Sequence, residues 1–190
     1  MLASIGRGDI LPPEKFKTIR ETETKRIIQM KNRRRVSTKT FSFLFENRDT
    51  VLNQINEMIF IEDVHDEEEI SRLLEVYNEL LPQRHQLSVS MFIEIEDEKA
   101  LVRELPKLAG IERTVYLTFD GHEVHAAYEE GRSTDVLEST VQYLKFNFNK
   151  ENLTQFLEAR NVYIETRKEN YFQSAKIPES LLEDLKREVS

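Results

Sequence analysis

The sequence predicts an α+β protein that folds as a single domain, with a mostly antiparallel sheet, helices packed on it and a basic N-terminal helical arm. Apolar and polar residues alternate from Leu87 to Glu96, which is typical of a strand with one buried face. Asp120-Gly121 separates two further alternating runs, and this residue pair favours the tight turn of an antiparallel hairpin. Segments with helical periodicity lie between these strands.

The arm, residues 1–35, differs from the body, residues 36–190, in charge. The first 40 residues carry 11 Lys and Arg against 4 Asp and Glu, a net of +7, so the remainder of this −8 chain carries −15. A helix is predicted from Asp9-Ile10-Leu11-Pro12-Pro13 to about Asn32, because proline is tolerated in the first turn. Its basic end could contact an anionic partner. The candidate contacts are Lys31, Arg33, Arg34 and Arg35.

The body begins with a predicted strand and two predicted helices. Val36 to Glu46 alternates, and three phenylalanines share one side of the strand. Asn47 is placed to cap a helix that runs to about Ile61. A second helix starts at Asp66 with an acidic first turn, which suits the positive end of the helix dipole, and Pro82 stops it.

The rest of the body alternates between predicted strands and helices. Pro106 is expected to kink or shorten the helix that follows Asp97. The polar segment 129–135 contains a glycine and is predicted to be a loop. The remaining predicted elements are strands at Val115–Phe119, His122–Tyr128, Thr140–Phe148 and Val162–Glu165, and helices at Asn149–Arg160 and Ile177–Val189.

Composition excludes several kinds of chemistry. The 190 residues include no cysteine, so the chain has no disulfide, catalytic thiolate or cysteine-held cluster. Its 5 glycines form no phosphate-binding loop or dinucleotide fingerprint, and its 4 histidines form no Glu-x-x-His or His-x-x-x-His pattern. We therefore predict no cofactor and no dedicated metal site. Without a signal-like start or an apolar stretch near 20 residues, a cytoplasmic location and no membrane insertion are expected.

A polar stripe on the helix after Asn47 is the most informative local pattern. Thr50, Gln54 and Glu57 fall on one flank of the apolar face, and Glu46 and Arg48 stand just before them. A carboxylate and an amide at the margin of a core can bind a ligand, hold a metal or act as a general base. The alternative is a partly exposed flank whose polar groups pair locally. The spacing leaves both interpretations open.

Five stretches, in order along the chain, resemble an uncharacterised bacterial family, domain of unknown function three-five-zero-one. The similarity covers about residues 10–185, and it rests on the ordered set rather than on any single motif. The stretches are Phe45-Glu46-Asn47-Arg48-Asp49-Thr50, Gln54-Ile55-Asn56-Glu57-Met58, Tyr77-Asn78-Glu79-Leu80-Leu81-Pro82, Leu108-Ala109-Gly110-Ile111-Glu112 and Ser139-Thr140-Val141-Gln142-Tyr143-Leu144-Lys145-Phe146.

The resemblance implies a setting rather than a reaction. Genes of this family often lie beside rubrerythrin and beside heterodisulfide-reductase-like iron–sulfur oxidoreductases, which implies an accessory role in peroxide or redox defence. Gln142 stands where the family commonly has a His, Lys145 where it commonly has an Arg, and Lys168-Glu169 near Tyr171 where His-Pro is common. If those His residues bind metal or move protons in the family, the resemblance implies that this chain lacks that activity. The family-like polar residues are Glu46, Arg48, Thr50, Gln54, Glu57, Asn78, Arg132 and Ser139.

Three functional hypotheses follow. The first is a non-enzymatic accessory that docks a rubrerythrin or an iron–sulfur oxidoreductase, with the metal chemistry in the partner. The second is an enzyme or small-ligand binder that uses the stripe of Thr50, Gln54 and Glu57, with Arg48 clamping an anion. The full candidate polar site is Glu46, Arg48, Thr50, Gln54, Glu57 and Arg132. The third is nucleic-acid binding through the basic arm, which the acidic body and the lack of interleaved aromatic residues disfavour. A homodimer is compatible with the uneven charge.

Overall fold

Helices and antiparallel sheets make up the protein, as the sequence predicts. A computed structural model describes residues 4–129 and 139–190. Within these residues the chain forms six α-helices and two antiparallel sheets, which confirms the α+β class. The helices are α1 (Pro13–Arg33), α2 (Arg48–Ile61), α3 (Glu67–Asn78), α4 (Glu98–Leu108), α5 (Lys150–Glu158) and α6 (Glu179–Val189).

The strands divide between two sheets. One sheet has the order β1-β2-β3-β7-β6 and the other β5-β4-β8-β9, and every paired strand is antiparallel to its neighbour. The strands are β1 (Arg35–Ser37), β2 (Phe41–Phe45), β3 (Gln86–Ile93), β4 (Val115–Phe119), β5 (His122–His125), β6 (Ala127–Tyr128), β7 (Val141–Asn147), β8 (Val162–Thr166) and β9 (Gln173–Lys176).

These elements belong to two compact units. Unit 1 contains the described residues up to Arg34 together with Glu46–Gln83, and therefore holds α1, α2 and α3. Unit 2 contains Arg35–Phe45 and the described residues from Arg84 onward, with both sheets and the other three helices. The division of the sequence into an arm and a body by charge stays a prediction.

Unit 1 is a helical unit in which the basic helix α1 packs against α2. The rings of Phe16 in α1 and Phe60 in α2 meet edge to face, with centroids 5.9 Å apart. The segment before α1 is held by an amide side chain, because Asn78 accepts a hydrogen bond from the backbone N–H of Ile5 at 2.8 Å and donates one to its carbonyl at 2.9 Å. Asn56 likewise accepts from the N–H of Leu11 at 3.1 Å.

Unit 2 has its hydrophobic core among the two sheets and α4, α5 and α6. The phenylalanines that alternate in β2 are fully buried, as predicted, and so are Met91 in β3 and Phe146 in β7. Large apolar residues from the helices complete this core: Leu108, Phe156, Leu181, Leu182, Leu185 and Val189.

The structure corrects several predicted boundaries. The strand predicted from Val36 to Glu46 is interrupted after Ser37, because the Thr38 hydroxyl accepts from the N–H of Phe41 at 3.1 Å and turns the chain into a hairpin. The single strand predicted from His122 to Tyr128 is two strands in different sheets, since β5 pairs with β4 and β6 pairs with β7. The strand β9 was not predicted.

Two further features concern helix ends and length. α3 ends at Asn78 rather than at Pro82, and the three residues that follow form single turns with i to i−3 backbone hydrogen bonds. Pro106 lies inside α4, which still extends to Leu108. Within residues 4–129 and 139–190, no helix combines the length and the apolar character that crossing a bilayer requires.

Candidate functional site

The first residues of the polar stripe form a closed hydrogen-bond network at the start of α2. Asn47 caps the helix, as predicted: its side chain accepts from the N–H of Thr50 at 3.0 Å, and its own N–H donates to the Thr50 hydroxyl at 2.9 Å. That hydroxyl also lies 2.5 Å from Oε2 of Glu46 and donates to it. Thr50 is 0% exposed and Glu46 is 2% exposed, so the network is shielded from water.

Two more side chains of unit 1 surround Glu46. The amide of Gln54 donates to both carboxylate oxygens of Glu46 at 3.4 Å. The guanidinium of Arg34, 5% exposed, donates to the backbone carbonyl of Glu46 at 3.4 Å. A buried carboxylate needs such donors, because burying a charge without hydrogen bonds is costly. The network therefore satisfies Glu46 with groups from the same unit.

Glu57, the third residue of the stripe, has its own partner in α1. Its carboxylate accepts three hydrogen bonds of 2.9 to 3.1 Å from the guanidinium of Arg20, which also lies 4.9 Å above the ring of Phe60. The hydrogen bonds that Arg20 donates to Glu57 raise the pKa of the Arg20 guanidinium. The predicted stripe therefore divides in two: Thr50 and Gln54 bind Glu46, and Glu57 binds Arg20.

Arg48 also binds within unit 1. Its guanidinium lies 2.7 Å from the carboxylate of Asp9, in the short 3₁₀ helix before α1. A hydrogen bond from the backbone N–H of Gly6, and then the bond from Arg48, lower the pKa of Asp9. The remaining predicted polar residue, Arg132, lies outside the described residues.

The four cations predicted as an electrostatic contact do not share one environment. Lys31 is half-buried, Arg33 is exposed and Arg34 is buried against Glu46. Arg35, in unit 2, donates to Ser42 at 2.9 Å and to Glu94 at 3.2 Å, and its guanidinium lies 4.9 Å above the ring of Phe92. Arg34 and Arg35 are thus engaged by groups of the protein itself.

A cleft in unit 2 brings together residues that sequence reasoning missed. It has a volume of about 750 Å³ and lies between the β1–β2 turn, α4 and the segment before β9. Inside it the Tyr171 hydroxyl donates to Glu104 at 2.5 Å, and Lys107 donates to the same carboxylate at 3.0 Å. The lining residues are Lys39, Thr40, Glu104, Lys107, Glu169, Asn170, Tyr171, Phe172 and Gln173.

The protonation states of this cleft are strongly biased. Hydrogen bonds from Tyr171, then Lys107 and Arg103, lower the pKa of Glu104 to about 2. Burial, and then the bond to Glu104, raises the pKa of Tyr171 to about 12. The carboxylate is therefore ionised and the phenol protonated at neutral pH. Such a pair positions a ligand better than it transfers protons, because efficient acid–base catalysis needs a pKa near the working pH.

Comparison with known proteins places the chain in a family. The model for proteins of unknown function called DUF3501 matches residues 4–189. The chain belongs to the DUF3501 family. A protein of unknown function from Burkholderia pseudomallei K96243, whose crystal structure was determined at 1.90 Å, is similar with a TM-score of 0.90 and 29% identity over 99% of this chain and 100% of that one. A search among curated proteins found no match.

The two departures from the DUF3501 pattern in β7 lie on opposite faces of that strand. Gln142 is opposite Met91 and is 1% exposed on the core side. Lys145 is opposite Ser88 and donates to its hydroxyl at 2.8 Å. Because side chains alternate along a strand, these two residues do not converge on one site. That this chain lacks a family activity carried by the missing His stays a prediction.

The histidines of this DUF3501 protein are also separated. In the hairpin of β4 and β5, Tyr116 lies opposite His125 and Phe119 opposite His122. His125 stacks on Tyr116, with centroids 4.5 Å apart, and donates to the carbonyl of Arg113 at 2.8 Å. His122 is exposed beside the turn. Over residues 4–129 and 139–190, no three His, Cys, Asp or Glu side chains are grouped as metal ligands.

Proposed function

We propose that this DUF3501 protein is a non-enzymatic accessory that docks a redox partner. The observation that carries the proposal is the engagement of the predicted polar site. Glu46, Thr50 and Gln54 are bound to one another, and Glu57 and Arg48 are held in ion pairs. A catalytic site keeps a base or a nucleophile available to a substrate, whereas these groups stabilise the helical unit. Binding of a partner at the protein surface fits this arrangement better than catalysis at the polar stripe.

An acidic surface on unit 1 is suited to docking. Between Glu62 and Glu79 the chain has eight Asp and Glu and a single basic residue, Arg72, apart from His65. The acidic side chains of this stretch are exposed, and so is Val76, at 63%. Three of the acidic groups have basic neighbours, since Glu67 binds Arg7, Glu68 lies 3.6 Å from Arg72 and Asp63 lies 2.9 Å from the ring of His65. The others present negative potential to solvent, which steers a basic partner.

The identity of the partner rests on the family. Membership of DUF3501 supports the resemblance from which the accessory role was inferred, and the proposed partner is a rubrerythrin or an iron–sulfur oxidoreductase. The chain has no cysteine, so the metal centre and its thiolate ligands would belong to the partner. A cytoplasmic location is part of this proposal, because a chain without cysteine suits a reducing compartment.

Binding at two salt concentrations tests the proposal. The full chain is titrated calorimetrically with the rubrerythrin, and separately with the iron–sulfur oxidoreductase, encoded in the same genome. We expect a complex at 50 mM NaCl that weakens at least tenfold at 500 mM NaCl, because exposed charges are screened. Absence of a complex with both proteins at 50 mM NaCl would reject the docking role.

A pair of charge-reversal variants locates the surface. Glu75→Lys with Glu79→Lys changes two exposed acids in and just after α3, and we expect it to weaken the complex at least tenfold. The matched control, Glu158→Lys with Glu183→Lys, makes the same charge change at exposed positions of α5 and α6 and should stay within twofold of the wild type. Equal loss from both variants would show that net charge, not this surface, governs binding.

The two alternatives are weaker proposals. A ligand at the polar stripe would have to displace Arg20 from Glu57. If the variant Glu57→Gln binds the ligand as the wild type does, the hypothesis of a ligand site at the stripe is rejected. Nucleic-acid binding through α1 is opposed by acids interleaved with its cations: Lys25 pairs with Glu21 at 2.7 Å and Arg26 with Glu23 at 3.0 Å. No retardation of duplex or single-stranded DNA or RNA at 50 mM NaCl would dismiss it.

A further inference from the structure

We propose that the unit 2 cleft binds a small zwitterion with an apolar group, of the class of a free α-amino acid or a dipeptide. The cleft is lined by opposite charges and an aromatic ring, and it lies within unit 2, whereas the residues used by the docking proposal belong to unit 1. Its volume of about 750 Å³ falls within the range of small-molecule sites, which is roughly 300 to 1,000 Å³.

The charges that line the cleft are of two kinds. Glu104 is already satisfied by Tyr171, Lys107 and Arg103, and Lys107 donates to it at 3.0 Å. Lys39 and Glu169 are exposed lining residues, and among the residues that the structure describes neither forms an ion pair. One ammonium and one carboxylate therefore remain for a ligand. A zwitterion complements both, whereas a simple anion leaves Glu169 facing a negative charge.

An exposed aromatic residue of the cleft would contact the apolar group of the ligand, which is its third feature beside the two charges. Phe172 is 67% exposed, which is unusual for a large aromatic residue, and it lines the cleft. Its neighbour Tyr171 is fixed from two sides, by the hydrogen bond to Glu104 and by the ring of Phe41, whose centroid is 6.3 Å away. An apolar side chain that covers Phe172 would remove exposed aromatic surface from water.

The backbone around the cleft is held in place before any ligand arrives. Asn170 has a φ of +66°, a left-handed conformation that asparagine tolerates and that turns the chain ahead of Phe172. Gln173 accepts from the N–H of Thr40 at 3.0 Å and donates to the Thr40 hydroxyl at 2.8 Å, so it ties the β1–β2 turn to β9. A rigid site binds more tightly because less entropy is lost on binding.

Three related probes test the assignment by isothermal titration calorimetry on the full chain. L-Phenylalanine has both charges, phenylacetate lacks the ammonium and phenethylamine lacks the carboxylate. We expect saturable binding of L-phenylalanine and at least tenfold weaker binding of the other two, because each loses one charge-assisted contact. No saturation by L-phenylalanine, or equal affinity for all three probes, would overturn the proposal.

Variants assign each charge to its residue. Lys39→Gln should weaken L-phenylalanine at least tenfold while leaving phenethylamine within twofold, and Glu169→Gln should do the same with phenylacetate as the unaffected probe. The control Lys99→Gln removes an exposed lysine of α4 outside the lining and should change nothing beyond twofold. If Lys39→Gln and Lys99→Gln behave alike, the cleft is not the site, whatever the outcome of the docking experiments.

Discussion

The polar groups at the start of α2 and those of the unit 2 cleft differ in whether exposed charged side chains accompany the hydrogen-bonded carboxylate. At α2 the carboxylate of Glu46 is buried, and its neighbours Thr50 and Gln54 donate to it. In the cleft, Glu104 is equally well satisfied, yet Lys39 and Glu169 stand exposed on the same surface. The first region is closed and the second is open.

We expect the closed network at α2 to matter for stability and the open cleft to matter for ligand binding. A buried polar network is costly to disturb, because removing one partner leaves another group unsatisfied away from water. An open cleft can lose an exposed charge with little effect on folding, since the side chain is solvated in either case. Substitutions in the buried network should therefore lower stability, whereas loss of the exposed charge of Lys39 or Glu169 should affect ligand binding.

Thr50→Val should cause the largest loss. The substitution removes the hydroxyl that donates to Glu46 and accepts from Asn47, at a fully buried position. We expect the free energy of unfolding to fall by about 2 kcal/mol, measured by urea denaturation. Thr22→Val, the same change at an exposed position of α1, should stay within about 0.5 kcal/mol of the wild type. Equal losses from both variants would contradict the structural role of the network.

Tyr171→Phe should give a smaller, pH-dependent loss. The pKa of Glu104 is lowered from 4.5 to about 2, so its contribution is full above 4.5 and is lost as the pH falls toward 2. The pKa of Tyr171 is raised from 10.0 to about 12, so its contribution is full below 10 and is lost as the pH rises toward 12.

The expected result is a drop in Tm of about 2 to 4 °C between pH 5 and pH 9 that narrows on both sides of this window. Thermal unfolding followed by circular dichroism from pH 2 to pH 11 measures it. A Tm difference that stays constant over the whole range would contradict the hydrogen bond between Tyr171 and Glu104.

Glu57→Gln should have the smallest effect. The side chain of Arg20 is 42% exposed, and exposed ion pairs contribute little to stability because water and salt compete for the charges. We expect the Tm to change by less than about 2 °C, and the change to disappear in 1 M NaCl. A larger loss that persists in high salt would place Glu57 among the buried network groups instead.

Short sequence patterns predicted the elements that are determined by a few adjacent residues. Asn47 was identified as a cap because it stands immediately before a helical apolar pattern, and the structure shows the capping hydrogen bonds. The Asp120-Gly121 turn fixed the register of β4 and β5, with both turn residues at positive φ. The strand β9 was not predicted because its sequence, Gln-Ser-Ala-Lys, has only one apolar residue and no alternating strand pattern.

The site was harder to predict than the fold. Helical spacing placed Thr50, Gln54 and Glu57 on one flank, but it could not show that Arg20 from another helix binds Glu57. Glu104 and Tyr171 are 67 residues apart, and only the fold brings them together. A weak signal lies near the cleft, since Lys168-Glu169 departs from the family pattern.

The contrast between the closed network and the open cleft can be tested in one experiment. A titration of the ¹⁵N-labelled full chain with L-phenylalanine, followed by amide chemical shifts, reports on both regions at once. We expect saturable shifts at Thr40 and at Asn170 to Gln173, and none at Thr50 and Gln54. Shifts centred on Thr50 and Gln54, with the cleft amides unmoved, would contradict it.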